Sequence, residues 1–490
     1  MMVNAFRSVA VVGTVLVAAA VFAAATRTGT APAGAQAAGF KHVIVIVQEN
    51  RTPDNLFQGL CVPPYGSAAT CSTAPSATQY DIKTSAWLDK FAPGGTIEPK
   101  PVPLANTYDL NHSHSGFVAQ CDAATGTTVC KMDGRARCSG TCPPDSQFLY
   151  VDNSTGTVNP YLDLATQYGW ANHMFQTNQG PSYPAHQILF GGTSAPSASD
   201  DAAGNFAAEN MIGTGGIGGF KKTAGCAAPS TTQVEVIHPS GPTTRIYPCF
   251  EHQTMADLFT GAVTWRYYAP APGTIWTAPN SIDHICKSTG PGGKCVGPIW
   301  TAHLDFHPPD VLADIASCNL RSVSWVIPAG IYSDHAGLHS GSGGPAWVAS
   351  IVNAIGKSTA CDGGKGYWND TAIIITWDDW GGWYDHVAPA FLPMPQGDYQ
   401  YGFRVPLVVV SAYTPRGYIN NVAHDFGTIL RFVQHNFGIP EGALHFADSR
   451  AKGDLSAFFD PSKPPRAFTP IAAPAVSAAA AGDTSPPDDD

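Results

Sequence analysis

Charge is what this sequence has least of. Asp, Glu, Lys and Arg make up 13% of its 490 residues, against roughly 25% in an average soluble protein, which argues against coiled coils and long charged-helix bundles. Positive charge is the scarcer kind. With 26 Lys plus Arg against 37 Asp plus Glu, the net charge is -11, and a chain of that sign has no long-range attraction for a polyanion. A nucleic-acid partner is not expected. Long apolar runs are missing after Ala25, so the mature chain should carry no stable membrane span. No internal repeat is visible. What is present is apolar and turn-forming: 44% hydrophobic and 10% aromatic residues suffice for a full-sized core, and 50 Gly with 41 Pro punctuate the chain. That composition excludes wholesale disorder.

The N-terminus places Arg7 before an uncharged, largely apolar run from Ser8 to Ala25, then small-residue sites at Ala33-Gly34-Ala35 and Ala35-Gln36-Ala37. A basic start, an apolar centre and a small-residue cleavage site make residues 1–37 an expected secretory signal peptide. The alternative is an uncleaved anchor, because the run is near the ~18-residue length of a span. No twin-Arg pair precedes it, so general secretion is the expected route, to the exterior or the periplasm. Twelve cysteines, an even number, suit an oxidising compartment. Cys61 and Cys71, Cys121 and Cys130, Cys138 and Cys142, Cys226 and Cys249, and Cys286 and Cys295 bracket short loops, leaving Cys318 with Cys361. Local disulfides are expected. A zinc site at Cys138 and Cys142 is not, since no second such pair accompanies them.

Four apolar, β-branched runs, Val43 to Val47, Ser322 to Ile327, Ala372 to Thr376 and Val405 to Ser411, read as strands buried on both faces. Helical spacing marks Tyr161 to Tyr168, Trp347 to Ile355 and Phe426 to Phe437. Strands alternating with helices predict an α/β fold with a mainly parallel sheet. Gly191 to Pro298 is Gly-, Ser- and Pro-rich and reads as loop insertions. The expected organisation is one catalytic domain over residues 40–470 and an Ala/Pro/Asp-rich disordered tail over 471–490.

The first strand ends in Gln48-Glu49-Asn50-Arg51 and a later one in Trp377-Asp378-Asp379. The carboxyl ends of parallel strands form the ligand crevice, and acids gathered there repel one another unless a cation intervenes. The alternative is that each acid caps the helix or turn that follows. Between them, Gly180-Pro181-Ser182-Tyr183-Pro184-Ala185-His186 suggests a fixed turn exposing the Ser182 hydroxyl, a nucleophile once activated. A plain turn serine is the competing reading. Asp109-Leu110-Asn111-His112-Ser113-His114 and Ser333-Asp334-His335 offer imidazoles for phosphoryl contacts or proton delivery, where lone histidines are more often structural.

Taken in order, these segments resemble the bacterial phosphoesterase family of phospholipases C and acid phosphatases. The resemblance rests on Glu49-Asn50-Arg51-Thr52 with Asp54 and Phe57, Asn111-His112-Ser113-His114, Gly180-Pro181-Ser182 with Pro184, and Ser324-Trp325-Val326 with Pro328. It continues through Ser333-Asp334-His335, Trp377-Asp378-Asp379 with Gly381-Gly382-Trp383-Tyr384-Asp385-His386-Val387, and Gly402-Phe403-Arg404-Val405-Pro406. It implies an alkaline-phosphatase-like α/β/α sandwich with disulfide-containing loop insertions. It also implies a divalent metal ion held by Glu49, Asn50, Ser182, Asp378 and Asp379, with Ser182 as nucleophile and His112, His114 and His335 around the phosphoryl oxygens. Three positions depart from the family's common pattern: Ser182 where phospholipases often have Thr, Asp379 where Glu is frequent, and Ala336 in place of Pro, with His339 close by. The expected activity is a secreted metal-dependent phosphoesterase working through a phosphoserine on small phosphate esters. The alternatives are a phospholipase C acting on phosphatidylcholine-type head groups and a non-catalytic binder of phosphorylated ligands.

Overall fold

The apolar run after Lys41 forms strand β1, His42–Gln48, in the computed structural model, which describes residues 39–487 apart from 126, 212–223, 240, 338–342, 394–398 and 477–482. The expected leader, His339 and the last three residues lie outside the described residues. Seven further strands join β1 in the main sheet: β2 (Gly169–Phe175), β3 (Trp265–Tyr268), β4 (Leu304–Asp305), β5 (Val323–Val326), β6 (Thr371–Trp377), β7 (Leu407–Val410) and β8 (Tyr418–Asp425). Their order across the sheet is β4-β3-β5-β1-β6-β7-β2-β8. Only β7 runs against its neighbours; every other adjacent pair is parallel. The sheet is thus mainly parallel, as expected, with its carboxyl ends gathered on one edge.

Five helices matter for the site: α1 (His114–Cys121), α2 (Asn159–Gln167), α3 (Ser182–Gly191), α4 (Gly344–Lys357) and α5 (Phe426–Asn436). Each follows its sequence. In α4, Trp347, Ile351 and Ile355 recur every four residues and are buried as one stripe. In α5, Asp425 caps the first turn by accepting from the Gly427 and Thr428 N–H groups, and Thr428 returns the bond.

The strand register shows that these helices form two layers. Trp325, Val45 and Ile374 lie level on β5, β1 and β6, so they share a face. Trp377, three residues beyond Ile374, points to the other. The Trp325 indole donates to the Leu189 carbonyl of α3, whereas Trp377 packs against Tyr161 of α2, with ring centres 5.2 Å apart. Helix α5 touches α3, and α4 touches α2, which completes an α/β/α sandwich.

The middle of the chain is less of an insertion than its composition suggests. Strand β3 lies within it and enters the main sheet, while Phe206–Ala207, Val234–His238 and Gly241–Ile246 form a small separate sheet. The cysteines pair locally, as Cys61–Cys71, Cys121–Cys130, Cys138–Cys142, Cys226–Cys249, Cys286–Cys295 and Cys318–Cys361. Parts of the tail meet the domain. Ile471 is buried and exchanges two hydrogen bonds with Asn353, and the Ser485 carbonyl accepts from Gly330 N–H. Among the described residues no helix is long and apolar enough to cross a membrane.

Candidate active site

Adjacent parallel strands decide where the acids go. Gln48 of β1 is level with Trp377 of β6, so the residues that follow them, Glu49 and Asp378, emerge side by side. Because side chains alternate, both turn to the face covered by α3. The Asp378 N–H donates to the Gln48 carbonyl at 2.9 Å, extending the pairing one residue past the strands.

The backbone then bends sharply. Asn50 sits in the left-handed region at φ 57°, which Asn tolerates better than most residues. Its N–H donates to Asp378 Oδ1 at 3.1 Å, and the Asp379 N–H reaches the same oxygen at 2.7 Å. Gly381 packs so closely here that a Cβ would stand 2.5 Å from the Asn50 carbonyl oxygen. Only glycine fits that turn. The Asn50 amide satisfies its neighbours with nitrogen toward Glu49 Oε2 (3.3 Å) and Asp378 Oδ1 (3.1 Å), and oxygen toward His112 Nε2 (3.2 Å) and His335 Nε2 (2.9 Å).

Ser182 begins α3 directly after Pro181. Its hydroxyl donates to Asp379 Oδ2 at 3.2 Å, while Asp379 Oδ1 accepts the Gly381 N–H. One turn further along α3, His186 brings Nε2 to 3.4 Å from Glu49 Oε1 and 3.6 Å from Asp378 Oδ2. Burial pushes its imidazole down to about 4, against the pull of Asp378, so the ring is neutral. Glu49, Ser182, His186, Asp378 and Asp379 are all fully buried.

Seven of the eight residues singled out from the sequence therefore lie in one contiguous cluster: Glu49, Asn50, His112, Ser182, His335, Asp378 and Asp379. His114 faces elsewhere. Its Nδ1 meets the Gln179 carbonyl at 2.7 Å and its ring stacks on Phe117, so it braces the loop leading into Ser182. His114, expected beside the phosphoryl oxygens, makes no contact with Glu49, Asp378 or Asp379 among the described residues. His186 was missed as a site residue. Its one available signal was position, four residues after Ser182 and so on the same helical face.

The cluster suits a cation. Three carboxylates share it with a neutral imidazole, and Asp378 Oδ2 makes no hydrogen bond among the described residues. Glu49, His186 and Asp378 present ligand atoms within 4.8 Å of one another. Oxygen and nitrogen donors so arranged fit a divalent metal.

The model of the phosphoesterase family matches residues 40–440. The chain belongs to the phosphoesterase family. Curated members similar to it include a non-hemolytic phospholipase C of Pseudomonas aeruginosa, 27% identical over 263 residues, covering 48% of this chain and 33% of that protein. A hemolytic phospholipase C of the same organism is 22% identical, over 86% of this chain and 56% of its own length. Phospholipase C A of Mycobacterium tuberculosis is 26% identical, over 34% of each chain. The matches span only about a third of the length of the first and third of these relatives.

Beside this cluster lies a cavity of about 370 Å³, lined among others by Asp109, His112, Pro181, Glu209, Asn210 and Glu235. Pro181 and His112 connect it to the nucleophile loop and the Asn50 amide. Burial, aided by Glu235, pushes the Glu209 carboxyl up to about 7. Asn210 accepts the Tyr183 N–H at 3.0 Å, fixing the cavity wall to the first turn of α3.

Proposed function

We propose that this chain is an exported, metal-dependent phosphoesterase that hydrolyses phosphate esters through a phosphoserine on Ser182. The observation that carries the reading is the Ser182 hydroxyl, at the start of a helix and 3.2 Å from Asp379, within a buried acid cluster that its own histidine does not neutralise. A divalent metal bound by Glu49, Asp378, Asp379 and the Asn50 amide oxygen, turned toward the acids in exchange for the nitrogen, would supply Lewis acidity and screen the phosphate's charge. Everything else comes from the chain. Asp379 accepts the Ser182 proton, leaving Oγ free to attack phosphorus. The amino end of α3 favours the anion that builds up beside it. His112 and His335 flank the Asn50 amide, where either could give a proton to the departing alcohol oxygen. Attack forms the Ser182 Oγ–P bond and breaks the ester P–O bond; water then cleaves the phosphoserine and releases phosphate or a phosphorylated head group. Six disulfides support export.

The test is acid quench of the full chain during turnover of an aryl phosphate, followed by peptide mass spectrometry. A phosphoryl adduct on the peptide containing Ser182 is expected, with none in Ser182→Ala; full turnover by that variant would sink the assignment.

The acid-lined cavity favours a second reading, phospholipase C action on phosphatidylcholine-type lipids, because Glu209, Glu235 and Asp109 would attract a cationic head group. The names of the relatives point the same way. Comparing phosphocholine release from lipid with hydrolysis of a soluble aryl phosphate separates the two.

A further inference from the structure

Buried polar atoms nearly always find hydrogen-bond partners, and among the described residues His186 is an exception. It is fully buried, and neither ring nitrogen makes a hydrogen bond among the described residues. Nε2 faces two carboxylate oxygens at 3.4 and 3.6 Å, and the nearer part of Asp378, Oδ2, is likewise without a hydrogen bond among the described residues. A charge-assisted hydrogen bond would draw such atoms to about 2.7–2.9 Å. The spacing matches instead the edge of a coordination tetrahedron, about 3.3–3.6 Å for zinc-type bonds of about 2.0–2.2 Å. In an octahedral magnesium shell, bonds of about 2.0–2.1 Å would set neighbouring ligands only about 2.9 Å apart.

We propose that His186 is a nitrogen ligand of the active-site cation, sharing it with Glu49 and Asp378, and that the site therefore selects a transition metal of the zinc class over magnesium or calcium. The inference rests on the metal-dependent reading above and adds a ligand to it. Imidazole suits zinc and its neighbours, whereas magnesium and calcium take oxygen shells. Helix α3 would then deliver two groups to one cation, the nucleophile in its first turn and the nitrogen ligand in its second.

Anomalous diffraction at the zinc edge from zinc-loaded crystals of the wild-type chain tests this without a variant. A peak within about 2.3 Å of His186 Nε2 is expected. A peak bonded to Asp379 and the Ser182 hydroxyl but more than about 3 Å from His186 overturns the proposal and leaves the metal-dependent function standing. Equilibrium dialysis with each metal alone gives a second measurement. His186→Gln should weaken zinc binding by about 10- to 100-fold and magnesium or calcium binding by less than about threefold. Unchanged zinc binding, or an equal loss for all three metals in a variant that melts like the wild type, overturns the assignment. Wild-type protein that binds no divalent metal and turns over fully in chelator overturns the functional reading as well.

Discussion

Two groups of buried acids follow β1 and β6, and they are neutralised in different ways. Asp54, Asp81 and Asp385 surround the buried Arg404, whose guanidinium donates to Asp385 from Nε at 3.0 Å and Nη2 at 2.9 Å. His386 closes the group, with Nδ1 2.7 Å from Asp54 and Nε2 3.0 Å from Asp81. Burial opposes charge on this ring, but Asp54 and Asp81 outweigh it and raise His386 to about 9. Around Glu49, Asp378 and Asp379 no arginine is placed in this way among the described residues, and the imidazole beside them is neutral. Either group could pass for a metal site on spacing alone. Arg404 tells them apart: it balances one group from within the chain, whereas the proposed metal would balance the other, called open below.

The predictions probe this contrast. Ser182→Ala, in the open group, should lower turnover of an aryl phosphate by about 10⁴-fold or more, ~5 kcal/mol of barrier, while leaving the melting temperature nearly unchanged. Retained activity would remove the nucleophile from the open group. In the closed group, Arg404→Met strands three acids and should cost about 3–5 kcal/mol in urea unfolding; a smaller loss would mean that the balance there is not structural. The pH response of the closed group has a definite sign. His386 is raised from 6.5 to about 9, so its stabilisation is complete below pH 6.5 and lost as pH rises through 9. Melting curves across that window should show a loss of roughly 2–3 kcal/mol, flattened in His386→Asn; an equally steep curve in that variant would assign the effect elsewhere. Asp378→Asn should act in the opposite sense to Arg404→Met, making the metal-free protein more stable by about 1–2 kcal/mol while lowering its metal content by elemental analysis. Equal destabilisation by the two variants would erase the distinction. The smallest effect belongs to the neighbouring cavity. Glu209→Gln should raise KM for esters with a cationic alcohol by about fivefold, ~1 kcal/mol, only above its pH of about 7; an unchanged KM would remove Glu209 from head-group recognition.

Legibility in the sequence followed burial. Strands β1, β5, β6 and β7 are built mainly of apolar residues, and both faces of each are covered. Strand β2 is not legible in the sequence, because Gly169-Trp170-Ala171-Asn172-His173 mixes small and polar residues. Asn172 is nevertheless fully buried, since its amide oxygen accepts from the Trp170 indole and the Asp81 N–H. Its partners are distant in sequence, so no local pattern announces them. Strand β8 escaped for a related reason: it is an edge strand with exposed Asn421 and Val422 residues and a bulge between Asn420 and Ala423. In the site, charged residues are scarce enough that Glu49, Asp378 and Asp379 stood out at the ends of apolar runs. His186 did not, because a histidine inside an apolar helix looks like a core residue until its neighbours across the sheet are known.

Chain chemistry alone determined the strand cores, the local cysteine couples and the identity of the acids, because each is a short-range consequence of apolar runs, loop length and scarce charge. Which acids share one space was decided only by the tertiary structure. Register sets Glu49 beside Asp378 with both facing α3, and Arg404, brought in on the approach to β7, balances Asp385 but not Asp378. Pairing across a sheet joins residues more than three hundred positions apart, and electrostatics inside a protein depends on such distances, not on order along the chain.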